Sequence, residues 1–102
     1  MKAFEFHPEA LEEFKEALLY FQVHAPPEIA IDFDAKIDSG VIEIATHPEQ
    51  FSRWRHTLVR QYVVDRFPYV IFYIDYPELV RILAVAHTSR RPGYWKKRIS
   101  VD

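Results

Sequence analysis

The stretch VRILAVAHTSRRPGYWKKR, from Val80 to Arg98, decides how the rest of the chain is read. Its first seven residues, Val80 to Ala86, are almost all apolar and rich in β-branched side chains. The run is too short for a typical helix and reads as a buried strand. That strand ends at His87, and Pro92-Gly93 then forces a turn, leaving room for only a short helical turn at the C-terminal end. No acidic residue lies between Glu78 and Asp102, whereas Arg81, Arg90, Arg91, Lys96, Lys97 and Arg98 all do. Cations beside Tyr94 and Trp95 suit a phosphate, a nucleic acid or an acidic protein surface.

Two similar runs lie upstream: TLVRQYVV from Thr57 to Val64, and YVIFYI from Tyr69 to Ile74. The breaks, Phe67-Pro68 and Tyr76-Pro77-Glu78, are only a few residues long, so neighbouring strands should be antiparallel in a meander. Glu49 to Arg55 reads as a connecting loop. Before it the period changes from two to three and four. Leu11, Phe14, Leu18, Phe21 and Ala25 form one helical stripe; Ala30, Phe33, Ile37, Val41 and Ile44 form a second. Pro8 and Glu9 suit the first turn of the first helix. Pro26-Pro27 separates the helices and Pro48 limits the second. Lys2 to Phe6 alternates like a strand and should pair with a later one. The expected class is therefore α+β: an N-terminal strand, an antiparallel helical hairpin, then a three-stranded antiparallel meander, in the order β-α-α-β-β-β.

A chain of 102 residues is expected to form one domain. It has no cysteine, which excludes disulfides, zinc–thiolate sites and thiol catalysis. Its two glycines, Gly40 and Gly93, cannot build a phosphate-binding loop. The N-terminus carries acids where a signal peptide needs an apolar run, and no window approaches a membrane span. The expectation is a soluble, cytoplasmic protein that does not engage membranes. Net charge is −2, but residues 1–50 carry a balance of −8 and residues 51–102 a balance of +6. Either the two halves become two faces for partners of opposite charge, or they neutralise each other inside the fold.

Among the five histidines no metal-binding spacing occurs, so neither a metal nor a cofactor is expected. His87 at a strand end suits a general acid or base, or a half-buried histidine bonded to backbone. Arg90 and Arg91 suit bidentate phosphate binding, or plain solvation. Tyr94 and Trp95 suit stacking on a partner; alternatively they fold back over the sheet, the better account for Trp95. Arg60 and Arg66 extend the basic set, although Arg60 shares a strand face with Tyr62 and Val64 and an ion pair to a helix would explain it equally well.

The segments FPYVIFY and RILAVAHTSRRPGYW, with HPEALEEFKEALLYFQ before them, resemble the RelE/ParE superfamily of toxins from type II toxin–antitoxin systems, of plasmid-stabilisation type. The resemblance covers essentially the whole chain, residues 1–102 as a single toxin domain. It implies a cytoplasmic setting in a bacterium or archaeon, a cognate antitoxin, and operator DNA reached only through that antitoxin. One branch of the superfamily consists of ribosome-dependent mRNA endoribonucleases; the other resembles ParE, which inhibits DNA gyrase. The nuclease branch has two lysines on the second strand, an arginine after the tyrosine opening the third, and an arginine and tyrosine near the C-terminus. The matching positions here are Gln61, Val63, Val70 and Thr88, with Arg90 two residues on; only Tyr94 agrees.

Fixed cations stabilise the phosphorane-like transition state of RNA cleavage, and one preorganised donor is worth roughly 10²–10³-fold in rate. The chain is thus expected to be closer to ParE: a toxin that binds a target, with gyrase as one candidate. No residue is assigned a catalytic role. The alternatives are a ribosome-dependent endoribonuclease using His87, Arg90 and Tyr94, and a non-toxic antitoxin-binding relic. Binding of target or antitoxin is expected to involve Arg60, Arg66, Arg81, His87, Arg90, Arg91, Tyr94 and Trp95.

Overall fold

A computed structural model describes residues 1–99. The chain forms β1 (Ala3–Phe6), α1 (Pro8–His24), α2 (Pro27–Thr46), β2 (Arg60–Val63), β3 (Tyr69–Asp75), β4 (Leu79–His87) and a 3₁₀ turn at Lys96–Arg98. The sheet order is β1-β4-β3-β2. β2, β3 and β4 form the expected antiparallel meander. β1 finds its partner across the sheet, running parallel to β4 with Ala3 opposite Leu79 and Phe6 opposite Ile82. The hairpin α1–α2 carries the chain across one face, from the β1 edge to the β2 edge.

The helix ends follow from local chemistry. His7 caps α1, its Nδ1 accepting from the Glu9 N–H at 3.1 Å, and Pro8 occupies the first turn, where its missing N–H costs nothing. Ala25 leaves α1 in an extended conformation, as a residue before Pro26 must. α2 buries Ala30, Phe33, Ile37, Val41 and Ile44, the whole expected stripe, and adds Gly40. A Cβ at Gly40 would sit 2.8 Å from the Tyr62 ring, so glycine lets α2 approach the sheet closely. α1 packs Phe14, Leu18 and Phe21 of the expected stripe against the core, but Leu11 is exposed. Ala10 and Ala17 are its buried residues, because two alanines let the helix lie closer to β4 than leucines would.

Two cores result, one on each face of the sheet. Under the helices lie Phe33, Ile37, Ile44, Ile71, Tyr73, Val80 and Ile82. Phe33 packs edge-on to Phe67 and Tyr69, at 5.2 and 5.1 Å between centroids. The opposite face, which neither α1 nor α2 covers, is closed by Trp54, Val59 and Trp95 over Phe72, Leu83 and Ala84. Strand β2 is shorter than the Thr57–Val64 run suggested. Trp54 N–H donates to Val59 O and Thr57 N–H to Trp54 O, which ties residues 54–59 into a turn that drives Trp54 into this second core.

Candidate partner-binding face

The C-terminal segment is held by a carboxylate from the first helix. Where β1 ends at Phe6, β4 continues to His87, and its edge groups beyond Ile82 lack a strand partner. Glu13 Oε1 accepts from the Val85 N–H at 3.0 Å, and Arg98 Nη1 donates to Leu83 O at 3.1 Å. The two side chains pair with each other, Nη2 to Oε2 at 2.9 Å and Nη1 to Oε1 at 3.1 Å. Tyr94 Oη completes the set, donating to Glu13 Oε2 at 2.7 Å. Glu9 adds a second contact to Arg98 at 3.3 Å. Arg98 is 6% exposed and Glu13 12%, so both charges are largely removed from water and depend on each other. Burial, and then the bond to Glu13, push the Tyr94 hydroxyl far above the usual phenol range.

The sequence-predicted basic set divides accordingly. Arg81 pairs with Glu5 across the β1–β4 edge, Arg66 with Asp32, and Arg98 with Glu13. Arg60 makes no ion pair with a helix among the described residues; its Nη1 donates to Phe51 O at 2.6 Å. Arg90 lies over the Tyr94 ring at 3.8 Å, with its Nη1 3.9 Å from Glu13 Oε2. Arg91, Lys96 and Lys97 are exposed without carboxylate partners among the described residues. Trp95 is 1% exposed and packs against Trp54 and Phe72, at 4.9 and 4.8 Å between centroids. It belongs to the core and is not a surface residue.

His87 ends β4 on the helix side, opposite Tyr69, whose ring stands edge-on at 5.2 Å. Its Nδ1 accepts from the Ser89 N–H at 3.0 Å, the backbone bond that also explains a histidine at a strand end. His87, Arg90 and Tyr94 come to one neighbourhood, but the Tyr94 hydroxyl is turned to Glu13. Val70 lies opposite Val63, and Gln61 opposite Phe72, on β2 and β3.

Between Tyr94 and the sheet lies a cleft of about 180 Å³, walled by Trp54, Val70, Phe72, Tyr94 and Trp95 and rimmed by Arg90 and Arg91. Sequence reasoning missed Glu13, Arg98's burial and Trp54. Glu13 sits between Ala10 and Ala17 on α1, and an acid inside a buried stripe is the signal for a buried partner. Among the described residues, no group of histidine, aspartate or glutamate is placed to hold a metal, and no helix is long and apolar enough to cross a membrane.

This fold, a strand, a helical hairpin and a three-stranded meander, is that of a ParE-like toxin. The family model for the ParE toxin of the type II toxin–antitoxin system, parDE, matches residues 4–92, and the chain belongs to that family. Among solved structures it is similar to one described as the chromosomal ParDE TA system from P. aeruginosa. The TM-score is 0.73 at 17% identity, over 85% of this chain and 96% of that one. No curated protein matches the chain by sequence.

Proposed function

We propose that this protein is a cytoplasmic toxin, a single domain over residues 1–102. In this reading it arrests growth by binding a cellular protein, DNA gyrase first among the candidates, and a cognate antitoxin neutralises it. Operator DNA is then reached only through the antitoxin. Membership of the ParE family supports the toxin reading. The observation that carries the non-catalytic part is the engagement of Tyr94 and Arg98 by Glu13. A general acid or base works best with a pKa near the operating pH, and a tyrosine pushed far up and bonded to a carboxylate is unsuited to that task. The second-strand cations that would stabilise a cleaved phosphate are replaced by Gln61 and Val63.

The test is a pair of assays on the purified protein: supercoiling by gyrase, and cleavage of mRNA on programmed ribosomes. Supercoiling should be inhibited and the message left intact. Cleavage that is abolished by His87→Ala or Tyr94→Phe would overturn the reading in favour of the endoribonuclease. Continued growth on induced expression without antitoxin would replace the toxin with an antitoxin-binding relic.

A further inference from the structure

The aromatic cleft opposite the helices has a size and a rim that neither the fold nor the clamp explains. Ligand pockets of about 300–1,000 Å³ hold drug-sized molecules, and this one measures about 180 Å³. A dry cavity of about 150 Å³ is enough to take a benzene ring. The space therefore fits one aromatic ring and is too small to enclose a whole nucleotide. Its walls are Trp54, Val70, Phe72, Tyr94 and Trp95, rings that favour an incoming ring edge-on or offset.

The rim selects charge. Arg91 is exposed and has no carboxylate partner among the described residues, whereas Arg90 is shared with Tyr94 and Glu13. Lys96 Nζ lies 5.3 Å from the Trp54 centroid, close enough to add to the field. A nucleic acid would need a row of cations along its backbone. Here Arg98 is paired and Arg90 shared, so Arg91, Lys96 and Arg55, the last stacked over Trp54 at 4.4 Å, make a short cationic rim and not a long track, and the chain as a whole carries −2.

We propose that the cleft receives an acidic peptide segment of the antitoxin, which seats one aromatic side chain between Trp54 and Tyr94 and lays a neighbouring carboxylate on Arg91. This deepens the toxin reading and rests on it for the identity of the partner, not for the chemistry of the cleft.

Both tryptophans of the chain, Trp54 and Trp95, line the cleft, so intrinsic fluorescence reports on it directly. The probe is a blocked peptide containing Asp-Phe-Glu, which adds no tryptophan or tyrosine emission. It should change the emission saturably. Asp-Ala-Glu and Lys-Phe-Lys peptides should bind at least tenfold more weakly, as should Asp-Phe-Glu with the Arg91→Glu variant. Val70→Phe, which fills the cleft from β3, should weaken binding comparably with the circular dichroism unchanged.

Equal response to all three peptides, or none to Asp-Phe-Glu, would overturn the proposal. So would an oligouridylate that displaces the peptide, since that assigns the cleft to nucleic acid. The titration needs neither toxicity nor gyrase inhibition. Its failure leaves the toxin reading standing, and harmless expression leaves the cleft assignment standing.

Discussion

Removing the Glu13 carboxylate should cost this protein a large part of its stability. The carboxylate takes four donors: the Val85 N–H, the Tyr94 hydroxyl and two nitrogens of Arg98. Breaking a buried ion pair by deleting one partner typically costs about 3–5 kcal/mol, because the other charge stays buried alone. Glu9 at 3.3 Å keeps part of the Arg98 charge compensated, which places Glu13→Ala near the lower bound, about 3 kcal/mol. Against a total stability of about 5–15 kcal/mol, and at about 4–8 °C per kcal/mol for a domain of this size, Tm should fall by roughly 12–24 °C. Glu13→Gln keeps an oxygen for Val85 and should cost about 2 kcal/mol.

The sharper measurement is a cycle with Arg98→Met, read by urea unfolding with the slope held constant. Each single change strands a charge, but Glu13→Gln with Arg98→Met strands none. The double variant should be more stable than the sum of the singles by at least about 1 kcal/mol. Additivity within about 0.5 kcal/mol, or a Glu13→Gln protein as stable as the parent, would refute the clamp.

Three further outcomes follow from single contacts. Gly40→Ala should lower Tm although alanine gains about 1 kcal/mol of helix propensity, because the new Cβ meets the Tyr62 ring at 2.8 Å and such overpacking costs about 1–3 kcal/mol. A gain of about 1 kcal/mol in thermal unfolding would mean α2 has room to move. Tyr94→Phe should lose about 1.5 kcal/mol, the range for a hydrogen bond to a charged acceptor, with growth arrest on induction retained; loss of arrest without loss of stability would give the hydroxyl a functional role. Burial and then Arg81 and Arg98 hold His7 below its usual 6.5. Its neutral form therefore favours the fold: the contribution is complete above about pH 6.5 and is lost as pH falls through the lowered value. Urea midpoints should drop over that window in the parent and not in His7→Asn, which keeps a cap but does not titrate.

How much of this was legible in the chain depended on how local the cause was. The helix boundaries were, because Pro8, Pro26, Pro27 and Pro48 act on adjacent residues. So was β4, since its run from Val80 to Ala86 is buried on both faces and reads as apolar apart from Arg81. The stripe of Phe14, Leu18 and Phe21 was legible too, but the burial of Ala10 and Ala17 in place of Leu11 was not. Leucine outranks alanine in any apolar stripe, yet close approach to β4 selected Ala10 and Ala17 for the interior. Trp54 was hidden for another reason: the turn that buries it is made by backbone bonds between Trp54, Thr57 and Val59, with no periodic pattern. The parallel partner of β1 was bounded but not fixed, since any edge of the meander would have satisfied it.

The charge division of the sequence resolves into both of its alternatives at once, in different places. Asp32, Glu5 and Glu13, all from the acidic half, neutralise Arg66, Arg81 and Arg98 from the basic half. What remains is geometrically sorted. The other helix carboxylates stay on α1 and α2, which lie on one face of the sheet, and Arg91 and Lys96, without carboxylate partners among the described residues, flank the aromatic face opposite. Pairing the rest leaves Arg91 on the rim of an apolar cleft, with Arg55 and Lys96 beside Trp54, a short cationic rim that favours a segment carrying carboxylates. The same Glu13 that withdraws Tyr94 from acid–base chemistry also fixes the wall of that cleft. Loss of the clamp should therefore weaken peptide binding as well as the fold, whereas Arg91→Glu should weaken binding and leave Tm unchanged.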